Sequence, residues 1–120
     1  MRSFIATLLL FISICAVIVI NNNYIKRSAE YITERVSEEV FEENPEKAIA
    51  ELEEFWKKNH PIISMSVGFK ELDRMSDLII DLKTYYELGI ASEVAHTRVM
   101  IIETADEISR LERFGHENLL

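Results

Sequence analysis

Glu93-Val94-Ala95-His96 is the one fragment of this 120-residue chain with the look of a metal motif. A Glu-x-x-His on a helix supplies half of a dinuclear carboxylate site in helical bundles, where a second such motif and two more glutamates complete the ligand set. No second copy is present, although a dimer could in principle supply one. At 100° per residue His96 points about 160° away from the stripe of Val94, Ile101 and Ala105, which turns it toward solvent rather than toward a core. His60 precedes Pro61 and reads as a turn or capping residue, and His116 follows Gly115 in a C-terminal tail over residues 115–120. The single cysteine, Cys15, lies inside an apolar run, so no intramolecular disulfide can form. Ser/His/Asp or Cys/His groupings, a glycine-rich phosphate loop and paired zinc spacing are all missing from the sequence. These residues lead us to expect no enzyme and to assign no catalytic, cofactor-binding or metal-ligating residue.

Two other features depart from an ordinary amphipathic pattern. Glu30, Glu34, Glu38 and Glu42 form a row of like charges at i,i+4, with Glu39 and Glu43 beside it. Such neighbours cost about 0.2–0.5 kcal/mol per pair in an isolated helix, so helix propensity does not favour the row. A docking strip for a basic partner is the functional reading, and a solvated helix face is the plainer one. Arg98 falls within about 40° of the centre of an apolar helix face, so its guanidinium must be paired or must reach outward. The helix register places it opposite residues 81–83.

The chain opens on Phe4–Ile20, an uncharged run of 17 residues behind Met1, Arg2 and Ser3. At 1.5 Å per residue it covers about 26 Å as a helix, a short but adequate span of a bilayer. It is longer than the apolar stretch of a cleaved signal peptide, and it ends in Val17-Ile18-Val19-Ile20-Asn21-Asn22-Asn23 with no small-x-small site. An uncleaved signal-anchor is therefore expected, contacting the lipid bilayer through residues 4–20. The Lys/Arg count on the two sides barely discriminates orientation. The short N-terminal tail favours the bulk of the chain outside the cytoplasm, at the cytoplasmic membrane.

Behind the anchor, all 21 Asp/Glu face the Lys/Arg that remain once Arg2 is set aside, and the domain is strongly acidic. That balance argues against nucleic acid and against a face held to anionic headgroups. Glycine and proline number three and two, and all lie after residue 44, so helices are expected throughout. The first runs over 24–43 with Ile25, Ala29, Ile32, Val36 and Val40 on one face. Asn44-Pro45 is an N-cap and N1 pair for a second helix to about Asn59, or else Pro45 kinks one long helix. Ile49, Leu52, Phe55 and Trp56 face inward, and Glu53–Lys57 and Glu54–Lys58 pair on the outside. His60-Pro61 breaks the pattern, with Trp56 near Met65 across the turn. A third helix begins at Ile62 or Ser66, with a stripe of Met65, Phe69, Leu72, Met75, Ile79, Leu82 and Tyr86. Gly89 caps it, Ser92 helps to start a last helix to about Phe114, and Val94, Ile101, Ala105 and Ile108 form that helix's core face. As a hairpin these two helices place Ile101 near Ile79, Ala105 near Ser76 and Ile108 near Leu72. The expected fold class is all-α: an N-terminal transmembrane helix in residues 1–23, then an antiparallel bundle of three to four helices over 24–114.

The near-N-terminal span, the acidic helical region, the stretch Phe55-Trp56-Lys57-Lys58-Asn59-His60-Pro61 and the hairpin of residues 69–114 together resemble small single-span bacterial proteins. These occur chiefly in spore-forming Firmicutes and are catalogued as domain of unknown function 4363. The resemblance covers nearly the whole chain and implies a membrane-anchored helical protein with no catalytic residues to transfer. The leading expectation is a non-enzymatic adaptor or accessory subunit that binds another membrane or envelope protein by a helix face. Ile25, Ile32 and Val36 would be contacts if the first helix stood free of its own bundle. A ligand- or metal-binding sensor-type bundle and a homo-oligomeric scaffold are the alternatives.

Overall fold

The computed structural model describes the backbone of residues 2–65, 67 and 69–119 and the side chains of residues 2–65, 67 and 70–110. The described residues form five helices: α1 (Arg2–Arg35), α2 (Glu38–Glu43), α3 (Pro45–Ile63), α4 (Phe69–Leu88) and α5 (Ala91–Leu119). No strand occurs among the described residues. Helix α1 has 34 residues and so a length of about 51 Å, which accounts for most of the 68 Å long axis of the molecule. Asn21-Asn22-Asn23 does not end it, although asparagine is a poor helix former, because extending a helix already nucleated costs little. Its first half is apolar and exposed, and it is the one helix among the described residues long and apolar enough to cross a membrane. Its second half buries Ile25, Ser28, Ala29 and Ile32.

The four long helices close into a ring. Helix α1 packs on α5 and α3, α4 packs on α5 and α3, and α2 makes a corner against α1 and α3. Consecutive members of the ring run in opposite directions, so the all-α antiparallel bundle expected from sequence is present with four helices. Its core is Leu52, Leu72, Met75, Leu82, Ile101 and their neighbours, all essentially inaccessible.

Three elements differ from expectation. The first bundle helix does not reach Glu43. It stops at Arg35, Ser37 adopts an extended backbone (φ −64°, ψ 152°), and α2 restarts at Glu38. Ser37 Oγ donates to the Glu34 carbonyl at 2.7 Å, and Phe41 N–H reaches the Ser37 carbonyl at 2.9 Å. The break puts Phe41 into the core where a straight helix would have put Val40, which is only half-buried. Second, α3 continues through His60-Pro61 to Ile63. Proline removes one helical hydrogen bond, but only the last turn lies beyond it. That turn is closed by Ser64 N–H to the His60 carbonyl (2.9 Å) and Ser64 Oγ to the Pro61 carbonyl (2.7 Å), while Ile63 and Val67 anchor it in the core. Third, α4 begins at Phe69, so Met65 lies in the turn before it and is 86% exposed rather than part of the stripe. It therefore does not cover Trp56. Leu72, Met75, Ile79 and Leu82 are buried and Tyr86 is half-buried, as expected; Ser66 and the side chain of Phe69 lie outside the described residues.

The remaining turns follow their local chemistry. Pro45 marks a turn rather than a kink: Asn44 is non-helical (φ −154°, ψ 86°) and its side chain accepts from Lys47 N–H at 3.2 Å. Gly89 takes φ 73°. Gly89 N–H bonds the Tyr86 carbonyl and Ile90 N–H the Tyr85 carbonyl, the paired arrangement of a Schellman cap. The following Val94 N–H reaches the Ile90 carbonyl, so α5 starts from Ile90 and Ser92 sits inside its first turn. Helix α5 buries Val94, Ile101, Ala105 and Ile108, together with Thr97 and Thr104. Its backbone stays helical past the end expected near Phe114, and His116 lies beyond the described side chains.

Candidate functional site

The break after Arg35 divides the glutamate row. All four of its members are exposed, but Glu30 and Glu34 ride on α1 while Glu38 and Glu42 ride on α2. Glu30 and Glu34 line an open groove between α1 and α5, whose far wall carries Ile102, Glu103, Asp106 and Ser109, with Lys26 at one end. Glu42 lies instead beside Phe41, Tyr86, Gly89 and Arg98 at the end of the bundle away from the apolar half of α1. The continuous i,i+4 ladder is thus replaced by an acidic groove shared by two helices. Glu103 and Asp106 were not singled out in the sequence. Nothing in the periodicity of α5 says that its neighbour is α1 as well as α4. Asp106 pairs with Arg110 at 3.1 Å in solvent, where such a pair is worth about 0–1 kcal/mol, and exposed Glu34 reaches the part-buried Arg35 at 3.4 Å. The groove acts through its summed negative field and not through any one contact.

Arg98 has a different role from the one its helix wheel suggested. Its Nε donates to the Val36 carbonyl at 2.9 Å, and its guanidinium sits 4.7 Å from the centre of the Phe41 ring. Its partners are therefore the broken end of α1 and the first core residue of α2, not residues 81–83. A cation at the C-terminal end of α1 also meets the negative end of that helix's dipole.

Further polar anchors tie α1 and α4 to α3. The Tyr24 hydroxyl donates to Asn59 Oδ1, and Asn59 Nδ2 donates to the Phe55 carbonyl. Tyr31 stacks on Phe55 at 4.2 Å between ring centroids. Arg35 lies over Tyr31 and bonds Glu51 at 2.8 Å. Trp56 Nε1 donates to Ser76 Oγ at 2.7 Å, so the Ser76 hydroxyl serves the α3–α4 contact. Glu53 bonds Lys83 of α4 at 3.6 Å in place of Lys57, and Glu54 and Lys58 do not close to an ion pair.

The metal fragment gains no partners. Glu93 and His96 are exposed on α5, and no group of three or more His, Cys, Asp or Glu converges among the described residues. His60 is half-buried in the last turn of α3 against the Trp56 ring, at 5.4 Å, and its carbonyl rather than its side chain serves the turn. Ile25, Ile32 and Val36 are each at most 2% exposed, which removes them as contacts for a partner or a second copy. The first bundle helix spends that face on its own core.

Compared with protein-family models, with curated proteins and with solved structures, the chain finds no match.

Proposed function

We propose that this protein is a single-pass membrane adaptor or accessory subunit, non-enzymatic, whose bundle binds another membrane or envelope protein. The observation that carries this reading is the continuity of α1: one helix leads from an exposed apolar half into the buried stripe of the bundle. A bundle mounted on such a rod is held close to the bilayer, where its side faces meet other membrane proteins. The acidic groove of Glu30, Glu34, Glu103 and Asp106 is the docking face, and the partner it suits is a basic helix or extracytoplasmic loop. In this reading the bulk lies outside the cytoplasm, and the chain groups with the single-span bacterial proteins it resembles.

The test is light crosslinking of tagged full-length protein in native membranes, followed by purification in mild detergent. A stoichiometric companion is expected, and its recovery should fall for a variant carrying E30Q, E34Q, E103Q and D106N. Unchanged recovery overturns the groove as the docking face. Recovery of the protein alone overturns the adaptor reading.

A further inference from the structure

We infer that the corner between α3 and α4 is a second membrane contact, seated in the lipid interface beside the span and held there by a collar of basic side chains. The inference rests on the reading of α1 as a transmembrane anchor. Given that anchor, internal hydrogen bonds fix the heights of α3 and α4 relative to the bilayer.

The Tyr24–Asn59 bond sets α3 against α1 four residues above Ile20, where the apolar run ends. Helix α3 runs toward the membrane from there, so Ile62 lies about 4.5 Å lower, against about 6 Å from Tyr24 to Ile20. Trp56 to Ser76 sets α4 in turn and brings its first residues to the same level as the end of α3. The corner therefore stands at the boundary of the apolar run. Its tip is apolar and uncovered: Ile62 is 50% and Met65 86% exposed, flanked by the exposed ring of Pro61. Ile63 and Val67 on either side of Met65 are buried and hold the neighbouring residues to the core. On α1 itself Cys15 and Ile18 are half-buried while the rest of the run is exposed.

Charge is sorted by height in the same sense. Lys26, Arg27, Lys57, Lys58, Lys70 and Arg74 all lie within about two turns of this level, and all are exposed. Arg110 of α5 joins them, and the acids at or close to this level are Glu71, Asp73, Asp106 and Glu107. The far end of the bundle holds Glu38, Glu39, Glu42, Glu43, Glu46, Glu87 and Glu93 against Arg35, Lys47 and Arg98. The net negative charge of the whole domain, which from sequence argued against anionic headgroups, is unevenly spread, and the residues around the corner carry a basic excess. Apolar side chains inside a ring of lysines and arginines, with Tyr24 at the same height, is the pattern of an interfacial anchor. A second protein chain as occupant would not explain why this apolar tip coincides with the end of the span.

The experiment is site-specific labelling of the full chain, in a Cys15→Ser background, with an environment-sensitive fluorophore. The protein is reconstituted into vesicles of mixed phosphatidylcholine and phosphatidylglycerol. Single cysteines are placed at Met65, at Ile12 within the span and at Leu88, which is 66% exposed at the far end. All three are exposed positions, so the fold is not at stake. Met65→Cys should give blue-shifted emission, quenched by lipids with a spin label high on the acyl chain. Ile12→Cys should be quenched by a deeper label, and Leu88→Cys should emit as in water and be quenched by neither. Quenching at Ile12 with water-like emission at Met65 overturns the corner contact and leaves the anchor standing. Loss of quenching at Ile12 overturns the anchor itself. Blue-shifted Met65 emission quenched by no lipid label means a protein cover, and also overturns the proposal.

Discussion

The two ends of the bundle are built on different principles. The far corner, from Val36 to Asn44, is held by a long-range contact: Arg98, 62 residues away, takes the Val36 carbonyl and covers Phe41. The near corner, from Pro61 to Val67, is held mainly by backbone bonds between residues three or four apart, and it leaves Ile62 and Met65 uncovered. The far corner turns its apolar residue inward and its glutamates outward, as a surface in water must. The near corner buries Ile63 and Val67 but leaves Ile62 and Met65 in the open. In the proposed anchoring, this exposed tip is the part of the bundle that meets the lipid interface.

The comparison predicts unequal responses to substitution. Phe41→Ala should be the most damaging change, costing about 3–5 kcal/mol, because it opens a cavity and removes the ring under Arg98. Urea titration of the detergent-solubilised full chain, followed by the fluorescence of its single tryptophan, Trp56, measures this directly. Arg98→Leu keeps much of the aliphatic packing but leaves the Val36 carbonyl without its donor, and should cost about 1.5–3 kcal/mol in the same titration. An unchanged midpoint for this variant would mean that the break after Arg35 is a local property of Ser37. Met65→Gln sits at the other extreme. Its side chain touches little of the protein, so stability in detergent should move by at most about 0.5 kcal/mol. A large loss there would show that the near corner is packed rather than presented.

Much of the fold was legible in the residues because its signals are local. Asn44-Pro45 announces a helix start and Gly89 a helix end through backbone chemistry confined to a few residues. The stripes of α4 and α5 follow from periodicity alone. Ser37 carries a weaker signal: serine is a common N-cap, yet nothing in 24–43 opposes a continuous helix except the burial gained by Phe41. Pro61 misled in the opposite direction, since a proline one turn from a helix end costs little when a following serine closes the turn.

The candidate site was half legible. Glu30 and Glu34 stand out as like charges that helix propensity does not favour, and both do line a groove. Their partners Glu103 and Asp106 could not be found without knowing that α5 lies against α1. Exposure alone could not distinguish them from any other solvated acid.

The sequence by itself determined a helical chain with one apolar segment at its start, the placement of most turns and the inward faces of the later helices. These depend on side-chain type, spacing and backbone freedom within one or two turns. Only the tertiary structure decided that α1 breaks at Val36, that Ile25, Ile32 and Val36 are spent on the core, and that Glu30 and Glu34 share a groove with Glu103 and Asp106. Those outcomes depend on which helices become neighbours and at what height, and that is set by the joint burial of all four faces rather than by any segment alone.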